Sequence, residues 1–159
     1  MNGSLWKGNP TGAAKAAESA IKTHGHAIAP GTVLSRKVKS YSFENGGDIN
    51  TWKAMEGKVL QEPGISSTSI TPKAWSGDVQ YRMTVGEGVK GLYVDIGSKP
   101  GGGSISYNAG PNEREILLPA NTKMLVQKVR DVSKEGPTAD GFGATGQKFV
   151  VEVLILPSP

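Results

Sequence analysis

The chain has 159 residues, with 22 glycines, 10 prolines and no cysteine. That composition excludes a disulfide framework and a thiolate metal site, and it suits a loop-rich β protein better than a helical bundle. The net charge of +4 is scattered, with no Lys/Arg block to mark a nucleic-acid partner, and no apolar run approaches the roughly 18 residues of a membrane span.

In chain order, residues 12–23 are alanine-rich and free of proline, which predicts a helix bracketed by Gly25 and Pro30. A strand is expected over 32–39, a loop over 40–50 and a short helix over 51–60. From Pro63 onward the pattern is β. Residues 65–70 read as a strand rich in Ser and Thr, and 79–85 alternate Val, Tyr, Met and Val against Gln, Arg and Thr. Such alternation predicts a sheet with one wet face. A buried strand at 91–96 leads into a long glycine-rich loop over 97–110, a length that inside a compact domain usually goes with function or disorder. Strands follow at 115–118 and 123–129, then a glycine-rich excursion over 134–146 and a last strand over 149–156. The expected architecture is α+β: a small helical N-terminal part on a core of two mixed or antiparallel sheets, in a single domain over 1–159. The chain is also compatible with being the C-terminal domain of something larger.

Three polar segments sit among strand formers: Leu34-Ser35-Arg36, Ser67-Thr68-Ser69 and Glu113-Arg114-Glu115. Strand residues two apart share a face, so Glu113 and Glu115 point the same way. Two carboxylates facing one way repel each other, a cost that suggests work on a cation or a cationic transition state. His24 and His26 have no carboxylate or Cys at ligand spacing, so no metal site is expected. Gly141-x-Gly143-x-x-Gly146 has the spelling of a dinucleotide fingerprint but opens a strand rather than a helix, which discounts it.

Arginine on an early strand, then Ser-Thr-Ser, then Glu-x-Glu before Ile116-Leu117-Leu118-Pro119 resembles the mono-ADP-ribosyltransferases of the clostridial C3/C2 toxin type. Ala74-Trp75-Ser76-Gly77, the strand Lys90-Gly91-Leu92-Tyr93-Val94-Asp95 and the turn Ser106-Tyr107-Asn108-Ala109-Gly110 are similar to that family as well. The resemblance implies an ADP-ribosyltransferase-like fold with NAD as substrate and no metal. It implies that Glu115 stabilises the oxocarbenium-like ribose formed when nicotinamide leaves, as carboxylates do in glycosidases. Ser67, with Thr68 and Ser69, would help hold NAD and orient Glu115. Arg36 would grip the pyrophosphate through its planar donor fork. Trp75 would stack near nicotinamide, Tyr107 would contact the acceptor protein, and Glu113 would orient an acceptor arginine. In that family Glu-x-Glu goes with arginine modification.

The expected partner is therefore a target protein bearing an acceptor arginine, with no membrane or nucleic acid involved. The expected role is that of an effector, toxin or phage-delivered modifier acting in the cytoplasm of a target or host cell. Two alternatives remain from the residues themselves. One is an NAD glycohydrolase, with water as acceptor. The other is a non-enzymatic, basic β-rich binding or phage structural module.

Overall fold

The computed structural model describes residues 12–94 and 114–159. Helix α1 (Gly12–His24) buries Ala14 and Ile21, two turns apart on one face. Lys22 and His24 lie in its last turn, where cations favour the negative end of the helix dipole. Gly25 closes it by donating to Ile21 O at 2.8 Å. A Cβ at Gly25 would lie 2.3 Å from that same oxygen, so only glycine fits the turn.

Among the described residues nine strands follow: β1 (His26–Ala27), β2 (Val33–Val38), β3 (Val59–Glu62), β4 (Ser66–Ser69), β5 (Val79–Val85), β6 (Lys90–Val94), β7 (Glu115–Leu118), β8 (Thr122–Asp131) and β9 (Phe149–Ile155). Their hydrogen-bonded order is β1-β6-β7-β4-β2-β5-β9-β8-β3. Among the described residues, only β5 and β9 pair in parallel. The connection between β4 and β2 is a single pair, Ser35 opposite Ser69. That joint divides the array into a four-strand and a five-strand sheet, matching the two sheets expected from the sequence. Ile116 and Leu118 of β7 enter the same core as Leu34, Val79, Met83, Val126, Val151 and Val153 of the five-strand sheet.

The helix at the N-terminus and the strands read at 32–39, 65–70, 79–85, 115–118, 123–129 and 149–156 are present, with ends shifted by no more than about two residues. Four expectations are corrected. The helix expected over 51–60 is a short α2 (Ile49–Lys53) followed by strand β3. Asp48 caps α2 by accepting from Asn50 N at 3.0 Å. Its Trp52 is buried and donates Nε1–H to Gly46 O at 2.7 Å. Val59-Leu60-Gln61-Glu62 instead alternates in exposure and pairs with β8, so a neighbouring strand outweighs the local helical preference. The loop expected over 40–50 contains a 3-10 turn, Ser40–Ser42, and the start of α2. The excursion at 134–146 begins inside α3 (Val132–Glu135).

The face of β5 expected to be wet is in fact dry at Gln80, which is fully buried. Loops from both sides cover it. Pro72 O accepts from Gln80 Nε2 at 3.0 Å, and Gly143 N donates to Gln80 Oε1 at 2.8 Å.

Candidate functional site

The joint between the two sheets gathers most of the residues singled out by the sequence. In β4 and β7 the register is antiparallel, with Ser69 opposite Glu115 and Ser67 opposite Leu117. Directly paired residues project from one face, so Ser67, Ser69 and Glu115 share a side of the four-strand sheet. Glu115 also pairs with Val94 on β6, which gives it strands on both sides. It is a buried carboxylate. A carboxylate held at a strand start, within a sheet and shielded from water, suits the stabilisation of positive charge.

The triplet divides by environment. Thr68 points to the opposite face and donates Oγ1–H to Ile116 O at 2.7 Å, so its hydroxyl serves the sheet. Ser69 is fully buried, and its Oγ accepts from Thr71 N at 3.1 Å. Ser67 alone of the three is only partly buried.

Across the joint, Arg36 of β2 reaches β4. Its Nη1 donates to Ser67 O at 3.4 Å, a long bond. Its Nη2 lies 3.8 Å from Glu62 Oε1, with side-chain exposures of 17% for Arg36 and 13% for Glu62. Arg36 Nε and Glu62 Oε1 are buried, with no hydrogen-bond partner among the described residues. Burial raises the Glu62 carboxyl above its ordinary value, and the Arg36 guanidinium only partly opposes that shift. Tyr81 stands opposite Arg36 in the β2–β5 register. Burial, and then the charge of Glu62, push the Tyr81 phenol up, while Arg36 pulls the other way. An arginine with a donor to spare in a shielded setting is suited to an anion, since unpaired buried donors are costly.

Trp75 lies on the connection between β4 and β5. It is about a third exposed and adopts φ +61°. Arg114, immediately before Glu115, has φ +44°. Both are non-glycine residues in the left-handed region, a conformation that costs energy and must be held in place by the surrounding structure. Ile70 N donates to Arg114 O at 3.3 Å, extending the β4–β7 ladder past Glu115. Glu113 and Tyr107, and with them the loop at 97–110, lie outside the described residues.

Sequence reasoning passed over Glu62, Lys37, Gln80 and Gln147. Glu62 was hidden by its assignment just beyond a helix. Gln80 was hidden because a polar residue alternating with Val and Tyr reads as an outward-facing position. In neither case does a local pattern report which distant loop covers the strand.

The family model described as ADP-ribosyltransferase exoenzyme matches residues 27–152. No curated protein matches. Among solved structures, the chain is similar to Plx2a, an ADP-ribosyltransferase toxin from Paenibacillus larvae. The identity is 20% and the TM-score 0.71, over 98% of this chain and 78% of that one. It is also similar to C3stau2 from S. aureus, solved with NAD, at 15% identity and TM-score 0.68 over 99% of this chain and 80% of that one. A third is the C3larvin toxin of Paenibacillus larvae, at 21% identity and TM-score 0.59 over 88% of this chain and 68% of that one. At these identities the structures speak for the fold, and the family model for the kinship. The chain belongs to the ADP-ribosyltransferase exoenzyme family, whose members use NAD as substrate and move its ADP-ribose to a target.

Proposed function

We propose that this chain is a single catalytic domain that transfers ADP-ribose from NAD to an arginine of a target protein inside the cell it acts on. The observation that carries the proposal is the joint between the sheets. A buried Glu115 stands opposite Ser69, and Arg36 reaches across to Ser67 with a buried donor unpartnered among the described residues.

The roles of Arg36, Ser67 and Glu115 are supported by that arrangement and by the chemistry of the bond to be broken, and those of Trp75, Tyr107 and Glu113 by the family resemblance. Arg36 binds the NAD pyrophosphate, its fork matching two oxygens at once. Trp75 offers an indole beside the nicotinamide. Ser67 holds the nicotinamide-bearing ribose and steadies Glu115, with Thr68 and Ser69 supporting it through the sheet. As the C–N bond breaks, its electron pair stays on nicotinamide, which leaves neutral, and positive charge develops on the ribose. The Glu115 carboxylate faces that charge and lowers the barrier electrostatically. The arginine nitrogen of the target then attacks the same carbon and loses a proton to solvent. Glu113 orients that guanidinium, and Tyr107 contacts the protein that carries it. Arginine rests on Glu113 as the first carboxylate of Glu-x-Glu.

The direct test is incubation with labelled NAD and a cell lysate, followed by mapping of the labelled residue. Label on arginine supports the proposal. Label on another residue removes arginine as the acceptor. NAD loss with no labelled protein makes the chain a glycohydrolase, and NAD left intact ends the enzymatic reading.

A further inference from the structure

Residues 70–78 join β4 to β5, and three of their carbonyls are held by side chains from elsewhere. Gln80 Nε2 donates to Pro72 O at 3.0 Å, Lys37 Nζ to Trp75 O at 3.2 Å, and Gln147 Nε2 to Gly77 O at 3.2 Å. The same three side chains also hold the segment between α3 and β9. Gly143 N donates to Gln80 Oε1 at 2.8 Å, and Lys37 Nζ donates to Thr145 Oγ1 at 3.1 Å. Thr145 in turn donates to Gln147 Oε1, from Oγ1 at 2.9 Å and from N at 3.2 Å.

Lys37 and Gln80 are register partners on neighbouring strands, so their side chains rise from one face of the sheet into both segments. Gln80 is fully buried and spends its second N–H on Ser35 Oγ at 2.9 Å, next to Arg36 in sequence. Gln147 is also buried, and burial lowers the Lys37 ammonium below its ordinary value. Buried amides need partners, so releasing either segment would strand the Gln80 and Gln147 side chains, while Lys37 ties the two segments together from the more exposed rim. The glycine-rich segment is built to be gripped. Gly143 has φ +86°, and a Cβ there would press on Val132 and Val150 at 3.0 and 3.1 Å. A side chain would thus push away the N–H that Gln80 accepts.

We propose that Lys37, Gln80 and Gln147 are positioning residues that lock the Trp75 segment onto the glycine-rich segment before β9, presenting the indole to the nicotinamide end of NAD in one fixed place. This rests on the assignment of Trp75 to nicotinamide made above. A backbone at φ +61° without such ties would relax toward less strained conformations. The cost would fall on NAD binding, since a mobile segment must be ordered each time.

The test uses Lys37→Met, Lys37→Arg and Trp75→Ala, with Gln147→Met as a second clamp variant. It reads amide hydrogen exchange over 70–78 and the KM and kcat of nicotinamide release. Lys37→Met should speed exchange in 70–78 roughly tenfold, leave β5 and β9 protected, and raise the NAD KM about five- to tenfold with kcat within twofold. Gln147→Met should do the same, and Lys37→Arg, which keeps donors for both acceptors, should stay close to wild type. Unchanged exchange in both clamp variants, or faster exchange with unchanged KM, overturns the clamp. Trp75→Ala should itself raise KM. If it does not, the assignment of Trp75 to nicotinamide falls, whatever the exchange data show.

Discussion

Arg36 Nη2 and Glu62 Oε1 stand 3.8 Å apart although their strands, β2 and β3, are the first and fifth of the five-strand sheet. Four strand spacings in a flat sheet would separate them by about 19 Å, beyond the joint reach of the two side chains. The sheet must therefore curl, as twisted sheets do, until its two ends nearly meet. The arginine proposed to hold an anion thus already faces an anion of its own chain.

That pairing predicts how NAD affinity depends on pH. The folded state raises the Glu62 pKa, so Glu62 takes up a proton at a higher pH than an exposed carboxylate would. Below that raised value Glu62 is neutral, and Arg36 meets the pyrophosphate unopposed. Above it the carboxylate competes. NAD should bind several-fold more tightly as pH falls through the Glu62 value, and Glu62→Gln should remove that dependence and bind tightly throughout. The linkage sign for stability agrees. A group raised on folding contributes stability that is present below its unfolded pKa and lost as pH rises through its folded pKa. Glu62→Gln should therefore melt no lower than wild type at neutral pH. Titration calorimetry with NAD and thermal melts across pH 4.5–8 check both statements.

Arg36→Lys keeps the charge but loses the planar fork and the donor toward Ser67 O. The NAD KM should rise about tenfold, equivalent to about 1.4 kcal/mol of binding. Steady-state nicotinamide release measures this, and an unchanged KM would remove Arg36 from the pyrophosphate.

The Ser-Thr-Ser triplet should split into one residue that serves chemistry and two that serve the fold. Ser67→Ala should cut turnover at least about tenfold with little change in melting temperature, since Ser67 is only partly buried. Thr68→Val leaves Ile116 O short of a donor in the core, and Ser69→Ala leaves Thr71 N without its acceptor. Each should destabilise by about 1–3 kcal/mol. Chemical denaturation beside turnover separates the two kinds of effect.

Much of this was legible in the sequence. Residues 79–85 and 149–155 announce themselves by alternation or by continuous apolar content, and they became the parallel pair at the centre of the five-strand sheet. That Arg36, Ser67-Thr68-Ser69 and Glu115 belong to one site was legible only through the family resemblance, because strand-forming flanks do not say which strands pair. What stayed hidden depended on contacts far apart in sequence. Val59-Leu60-Gln61-Glu62 becomes a strand only because β8 offers it an edge. Gln80 becomes a buried hub only because residues 63 and 8 positions away close over it. No periodicity encodes such a lid. Ser69, rather than Ser67, is the register partner of Glu115, and register is set by how two strands pair, not by either strand alone.

In the proposed reaction the buried carboxylate of Glu115 drives the loss of nicotinamide. Glu115→Gln preserves its volume and removes its charge, so the measurement is nicotinamide release from saturating NAD by the folded variant. The rate should fall at least about a hundredfold with NAD affinity and melting temperature nearly unchanged. A folded Glu115→Gln that releases nicotinamide at a rate close to wild type would contradict the account.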